Sequence, residues 1–135
     1  LILIEPLGFS LEDRYLKRAG LDYWPYVDIK TFPNFQSFRN SQDQSKRLIG
    51  FSKSGKVNIH SFLFEPGDIL LFGREDNGLP PFMSEHCSFM SSIPMAGAAN
   101  KIGKGGVRSL NLSVAVGIAS YEATKQIMNR SYLTY

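Results

Sequence analysis

Residues 68–80 read DILLFGREDNGLP, a short apolar run that stops at Gly73 and turns through a polar loop to Gly78. Four to eight apolar residues bounded by turn formers have the signature of a buried β-strand. Gly73 and Gly78 bracket a loop with Glu75 at its centre. A glycine at a strand end lets a ligand approach the backbone closely. The same two glycines also fit a plain turn, and a short glycine motif alone does not separate the two.

The strand pattern recurs on both sides of this stretch. Residues 1–5 (LILIE) form an apolar run closed by Pro6 and Gly8, and residues 27–32 return to strand character. Residues 47–52 (RLIGFS) predict a buried strand ending in the polar turn 53–56, and residues 91–95 (SSIPM) a short further one. Between them, residues 13–19 carry helix formers, with Gly20 where a helix C-terminus favours glycine. Residues 35–40 predict a second, short helix, residues 41–46 a polar exposed stretch, and residues 97–106 a mobile Gly-, Ala- and Lys-rich loop.

Residues 111–128 have the spacing of one long helix. Leu112, Ala115, Val116, Ala119, Ala123 and Ile127 fall on one stripe, and Leu110, Val114, Ile118 and Tyr121 on another. A helix that is apolar on two faces needs two partners. One is the sheet; at this chain length a second subunit is a good candidate for the other.

Short apolar strands alternating with helices predict an α/β fold with a mostly parallel sheet, in a single domain over residues 1–135. Such sheets bind ligands beyond the carboxyl ends of their strands. Three segments belong at that edge: Phe51-Ser52, residues 72–80, and Ile93-Pro94-Met95 followed by residues 108–113 (RSLNLS). Ser109 or Asn111 is expected to cap the long helix, whose free N–H groups also suit a ligand.

Composition narrows the function classes. The chain has 135 residues, 43% hydrophobic and 20% charged, which excludes a disordered, collagenous or coiled-coil chain. No apolar run reaches the roughly 18 residues of a membrane span. The net charge of +3 fits a nucleic-acid partner but is too small to argue for one. The single cysteine, Cys87, excludes an internal disulfide and a four-cysteine zinc site, and has the character of a small buried residue. His60 and His86 are isolated, so no metal site is expected. There is no GxSxG elbow, P-loop or GxGxxG, and Gly103, Gly105 and Gly106 have the wrong spacing for a dinucleotide site.

Taken in order, FGREDNGLP, IPM and RSLNLSVAVGIASYEA resemble motifs 2 and 3 of the SPOUT (SpoU-type) RNA 2′-O-methyltransferases. LIEPLGF followed by LKRAGLDYW is similar to the TrmL-type branch, the tRNA (cytidine/uridine-34) 2′-O-methyltransferases. The resemblance implies an α/β domain with a C-terminal trefoil knot, S-adenosyl-L-methionine bent into it, a homodimer, and the tRNA anticodon stem-loop as substrate, with no metal and no membrane. It places Phe51, Gly73, Ile93, Met95, Ser109 and Leu110 at the cofactor. It makes Ser109, Asn111, Glu75 and Arg108 the catalytic set, and puts Tyr121 near the dimer contact. The reaction is then transfer of a sulfonium methyl group to a ribose 2′-hydroxyl, which asks the protein to align three atoms and help remove one proton.

Three departures from the family pattern stand out. Its motif 1, an Asn-x-Gly segment leading to an arginine, is expected upstream of Leu1, which stands inside an apolar run in place of an initiating Met. Arg74 and Asp76 replace the usual proline or serine and threonine, and the two can pair. The loop 96–107 is longer than usual; Lys101 and Lys104 in it suit cofactor closure, RNA phosphates or a solvated insertion. These departures keep a second expectation open, a truncated or degenerate domain that binds RNA or cofactor without turnover. Another doubly wound nucleotide-binding domain is disfavoured by the missing phosphate loop. The expected compartment is the cytoplasm, or a chloroplast or mitochondrion were a transit peptide to precede Leu1.

Overall fold

The structure is a computed structural model that describes residues 1–8, 11, 12, 18, 20, 24–95 and 109–132. The chain divides into two compact units, Leu1–Gln44 and Ser45–Tyr135.

In the first unit, β1 (Ile2–Ile4) pairs in parallel with β2 (Lys30–Phe32), Ile2 opposite Lys30 and Ile4 opposite Phe32. The strand expected over residues 27–32 is therefore shorter, and a 3₁₀ turn, Trp24–Tyr26, precedes it. Helix α1 (Phe35–Ser41) follows as its sequence predicts. Asn34 caps it, its Oδ1 accepting from the Ser37 N–H at 2.8 Å. Phe35 and Phe38 are buried, and Phe32 meets Phe38 edge-on at 5.7 Å. The helix expected over residues 13–19 lies outside the described residues apart from Arg18, which is helical. Gly20 takes the left-handed φ of +73° that a helix-ending glycine supplies.

The second unit holds a four-stranded, all-parallel sheet ordered β4-β6-β3-β5. These strands are β3 (Leu48–Phe51), β4 (Val57–Asn58), β5 (Ile69–Phe72) and β6 (Phe89–Ser92). Every residue of β3 is buried, as an inner parallel strand covered on both faces requires. Two strands deviate from expectation. β6 starts two residues before the expected 91–95 and ends at Ser92, because Phe89 to Ser91 make the pairings with β3 and Pro94 has no N–H to extend the ladder. Ile93, Pro94 and Met95 are thus the segment beyond the strand. The two-residue β4 carries no period of its own and exists because Val57 and Asn58 find Ser91 and Ser92. A short helix, α2 (Pro81–Ser84), precedes β6. Cys87 follows it and is half-buried, not buried, its Sγ reaching the Met83 carbonyl at 3.5 Å.

Helix α3 (Leu112–Tyr132) runs four residues past the predicted end. Its small residues Ala119 and Ala123 are buried against Ile49, Phe51, Ile59, Phe62 and Phe64, where larger side chains would hold helix and sheet apart. Gln126 ties the helix to the extended segment before β5. Its Nε2 donates to the Phe62 carbonyl at 3.0 Å, and its Oε1 accepts from the Phe64 N–H at 3.0 Å. Arg130 donates to the Phe64 carbonyl at 2.9 Å. The predicted second stripe is exposed: Val114, Ile118 and Tyr121 face outward, Tyr121 at 72%.

Candidate active site at the carboxyl edge of the parallel sheet

The parallel register brings the three predicted segments to one edge. Phe51 at the end of β3 stands opposite Phe72 at the end of β5 and Ser91 in β6. The Phe51 and Phe72 rings stack at 4.8 Å with 9° between planes. Phe51 is only 8% exposed, so its side chain belongs to the core and what it offers a ligand is main chain. Ile93, half-buried, packs against the same core. Met95 and Leu110 are half-buried and Ser109 is exposed.

Beyond β5 the chain makes a tight loop. Arg74 N–H donates to the Gly78 carbonyl at 3.2 Å, and Gly78 N–H returns to the Arg74 carbonyl at 2.8 Å. Gly78 has φ of +67°. A Cβ on Gly73 would stand 2.0 Å from the Gly78 carbonyl carbon and 2.2 Å from the Leu79 nitrogen. Both glycines are therefore required by the loop itself, and the backbone that approaches Gly73 is the protein's own. Arg74 and Asp76 do pair, at 3.1 and 3.2 Å. Both are well exposed, so the pair contributes about 0–1 kcal/mol.

The loop tip carries Glu75 to the start of α3. Asn111 Nδ2 donates to Glu75 Oε1 at 2.9 Å, and the Leu112 N–H points at the same oxygen at 3.4 Å. A carboxylate here is favoured by the positive end of the helix dipole. Of the two expected caps, Asn111 is the one used: its Oδ1 accepts from the Ser113 N–H at 2.9 Å and from the Ser113 hydroxyl. Glu75 and Asn111, 36 residues apart, thus meet directly. Arg108 lies outside the described residues, as do Lys101 and Lys104. Ser113 escaped the sequence argument, although an Asn-x-Ser spacing at a helix start signals such a cap.

A shallow groove of about 300 Å³ lies along the outer stripe of α3, lined by Ile59, His60, Gly117, Ile118, Tyr121 and Glu122. The Glu122 carboxyl is held below the usual range, first by its bond from Gln126 and then by Lys125. Among the described residues no helix is long and apolar enough to cross a membrane, and no three His, Cys, Asp or Glu cluster as a metal site would.

Comparison with known proteins agrees with this geometry. The SpoU rRNA Methylase family profile matches residues 1–121. The chain belongs to the SpoU methylase family. Among its relatives, the tRNA (cytidine(34)-2'-O)-methyltransferase of Acidovorax sp. (strain JS42) is 37% identical over 133 residues, covering 98% of this chain and 76% of the relative. A solved structure described as "Structural insights into the 2-OH methylation of C/U34 on tRNA" superposes with a TM-score of 0.77 at 44% identity, covering 93% of this chain and 76% of that one. The SpoU methyltransferase AviRb of Streptomyces viridochromogenes, at 22% identity and a TM-score of 0.75 over 95% of this chain and 49% of its own, shares the fold.

Proposed function

We propose that this SpoU-family protein transfers a methyl group from S-adenosyl-L-methionine to a ribose 2′-hydroxyl of tRNA, at wobble position 34. The observation that carries the proposal is the contact of Asn111 with Glu75 at the carboxyl edge of the sheet. It joins the two motifs expected to serve catalysis, and the 34-specific relatives extend over nearly the whole chain. The family match running from residue 1 to residue 121 across both units supports one methyltransferase domain.

The residues at this edge suit the cofactor. Half-buried Ile93, Met95 and Leu110 supply apolar surface for an adenine, and the strand ends at Phe51 and Gly73 supply main-chain atoms. The Glu75 carboxylate complements a sulfonium cation. When bound, the cofactor supplies the electrophilic methyl group and its own leaving group. The protein's part is to hold the ribose hydroxyl in line and to manage its proton. Asn111 fixes one oxygen of Glu75, leaving the other for the hydroxyl proton or for orienting the ribose. Ser109, just before the same helix start, and Arg108, its neighbour in sequence, complete the proposed catalytic set.

The exposed stripe Val114, Ile118 and Tyr121 supports a homodimer with this face at or near the interface. A C-terminal trefoil knot and the tRNA anticodon stem-loop as the bound element belong to the same proposal.

Calorimetric titration with S-adenosyl-L-methionine, with mass in solution measured beside it, is the first test. The second is transfer of labelled methyl to tRNA bearing either a 2′-hydroxyl or a 2′-deoxy ribose at position 34. Binding by a dimer and label in the 2′-hydroxyl tRNA alone is the expected result. Binding without transfer would favour a non-catalytic binding domain, and equal label in both tRNAs would move the target away from position 34.

A further inference from the structure

Asn111 has to present the correct end of its amide to Glu75. The two ends are alike in shape and opposite in hydrogen-bonding character. Nδ2 reaches Glu75 Oε1 at 2.9 Å, so Oδ1 faces the other way, where Ser113 meets it twice. The Ser113 N–H donates to Oδ1 at 2.9 Å and the Ser113 hydroxyl at 2.5 Å. A flipped amide would set Oδ1 against a carboxylate and Nδ2 against an N–H, two repulsions in place of two of the three bonds; the hydroxyl, able to donate or accept, bonds either end. Glu75, Asn111 and Ser113 are all exposed, so water competes for each group. A single bond in water orders a side chain weakly. A chain of bonds in which each donor is polarised by the next orders it better.

We propose that Ser113 is a positioning residue that acts through Asn111. Its hydroxyl adds a further bond to an amide whose orientation Glu75 and the Ser113 N–H select, restrains its motion and so holds the carboxylate in the place the reaction uses. The kinetic side of this proposal rests on the methyl-transfer reading above; the structural side does not. The hydroxyl's role is separable from capping. The Ser113 N–H survives any substitution except proline, so Ser113→Ala keeps the cap of α3 and removes only the second donor to Oδ1.

The test has two readouts on the whole protein. The first is the ¹⁵N spectrum of the Asn111 side-chain amide, assigned by its loss in Asn111→Ala. Ser113→Ala is expected to speed exchange of the Nδ2 protons by about three- to ten-fold, the scale of one hydrogen bond, and to narrow the separation of their two shifts. Ser113→Thr, which restores a hydroxyl, is expected to return both toward the starting values. The second readout is the single-turnover rate of methyl transfer to tRNA. Ser113→Ala is expected to lower that rate about three- to ten-fold with tRNA affinity unchanged, and to have no further effect in an Asn111→Ala background.

An Asn111 amide that does not respond to Ser113→Ala overturns the proposal. So does a rate loss that persists undiminished in the Asn111→Ala background, since Ser113 would then act directly and not through the amide. If the unmodified protein transfers no methyl group, the methyltransferase reading fails, and the amide spectrum still decides the role of Ser113.

Discussion

Gly73→Ala probes whether the motif 2 loop is as rigid as its packing implies. The added Cβ would lie 2.0 Å from the Gly78 carbonyl carbon and 2.2 Å from both the Gly78 oxygen and the Leu79 nitrogen. These are main-chain atoms and no rotamer change moves them aside. Reaching ordinary contact at 3.4 Å requires the loop to open by about 1.4 Å, the difference of 3.4 and 2.0. That movement breaks the reciprocal Arg74–Gly78 bonds of 3.2 and 2.8 Å. At about 1 kcal/mol each they amount to about 2 kcal/mol. For a domain of this size that corresponds to a fall in Tm of about 6–8 °C. The loop also carries Glu75, so the bond to Asn111 is expected to go with it. Thermal unfolding followed by circular dichroism measures the first effect, and calorimetric titration with S-adenosyl-L-methionine the second. Gly8→Ala is the control, because nothing lies within 4 Å of its added Cβ. If Gly73→Ala melts within about 2 °C of the unmodified protein and binds the cofactor equally well, the loop is pliable and the packing argument is wrong.

Further outcomes follow from the contacts elsewhere. Arg47 forks onto Asp68 at 2.7 and 2.6 Å, donates to the Leu63 carbonyl at 2.9 Å and lies 5.5 Å from the Phe62 and Phe89 rings. The Asp68 side chain is only 5% exposed, so Arg47→Ala leaves a nearly buried carboxylate without its cation, holding only the bond from the Glu65 N–H, and is expected to cost about 3 kcal/mol by urea unfolding. Arg47→Lys should recover only part, because an ammonium cannot make the fork. Glu122, its carboxyl held down by Gln126 and then Lys125, adds stability that is complete above about pH 4.5, where the unfolded carboxyl titrates, and that is lost as pH falls through the lower folded value. Glu122→Gln should flatten that acid limb in a pH series of unfolding curves. Gly117 has nothing within 4 Å of an added Cβ and lines the groove on the outer stripe of α3. Gly117→Ala is expected to raise the Tm of dilute protein by about 2–4 °C through helix propensity. It should also weaken self-association, measured by sedimentation, if a second copy packs closely on that stripe.

Much of this protein is written locally in its sequence. The apolar run at 48–51 buries whole because an inner parallel strand covered on both faces needs no polar alternation, whereas the run at 69–72, expected to be buried as well, forms the edge strand beside it with only Leu71 buried. The two stripes of α3 separate into an inner face around Ala119 and Ala123 and an outer one around Ile118 and Tyr121, because helical period alone sorts the faces. The glycines around Glu75 mark a tight loop without any knowledge of its neighbours. Tertiary structure decided the rest. It placed β6 between β3 and β4, created the two-residue β4, and moved the end of β6 to Ser92, because pairing partners are chosen across long stretches of chain. It selected Asn111 over Ser109 as the cap. It also aimed Glu75 at Asn111 across 36 residues of sequence, and enlisted Ser113 behind them. Periodicity records which side of an element is dry. Hydrogen bonds between distant polar groups form only after the closed fold has brought them together, and no local pattern encodes that distance.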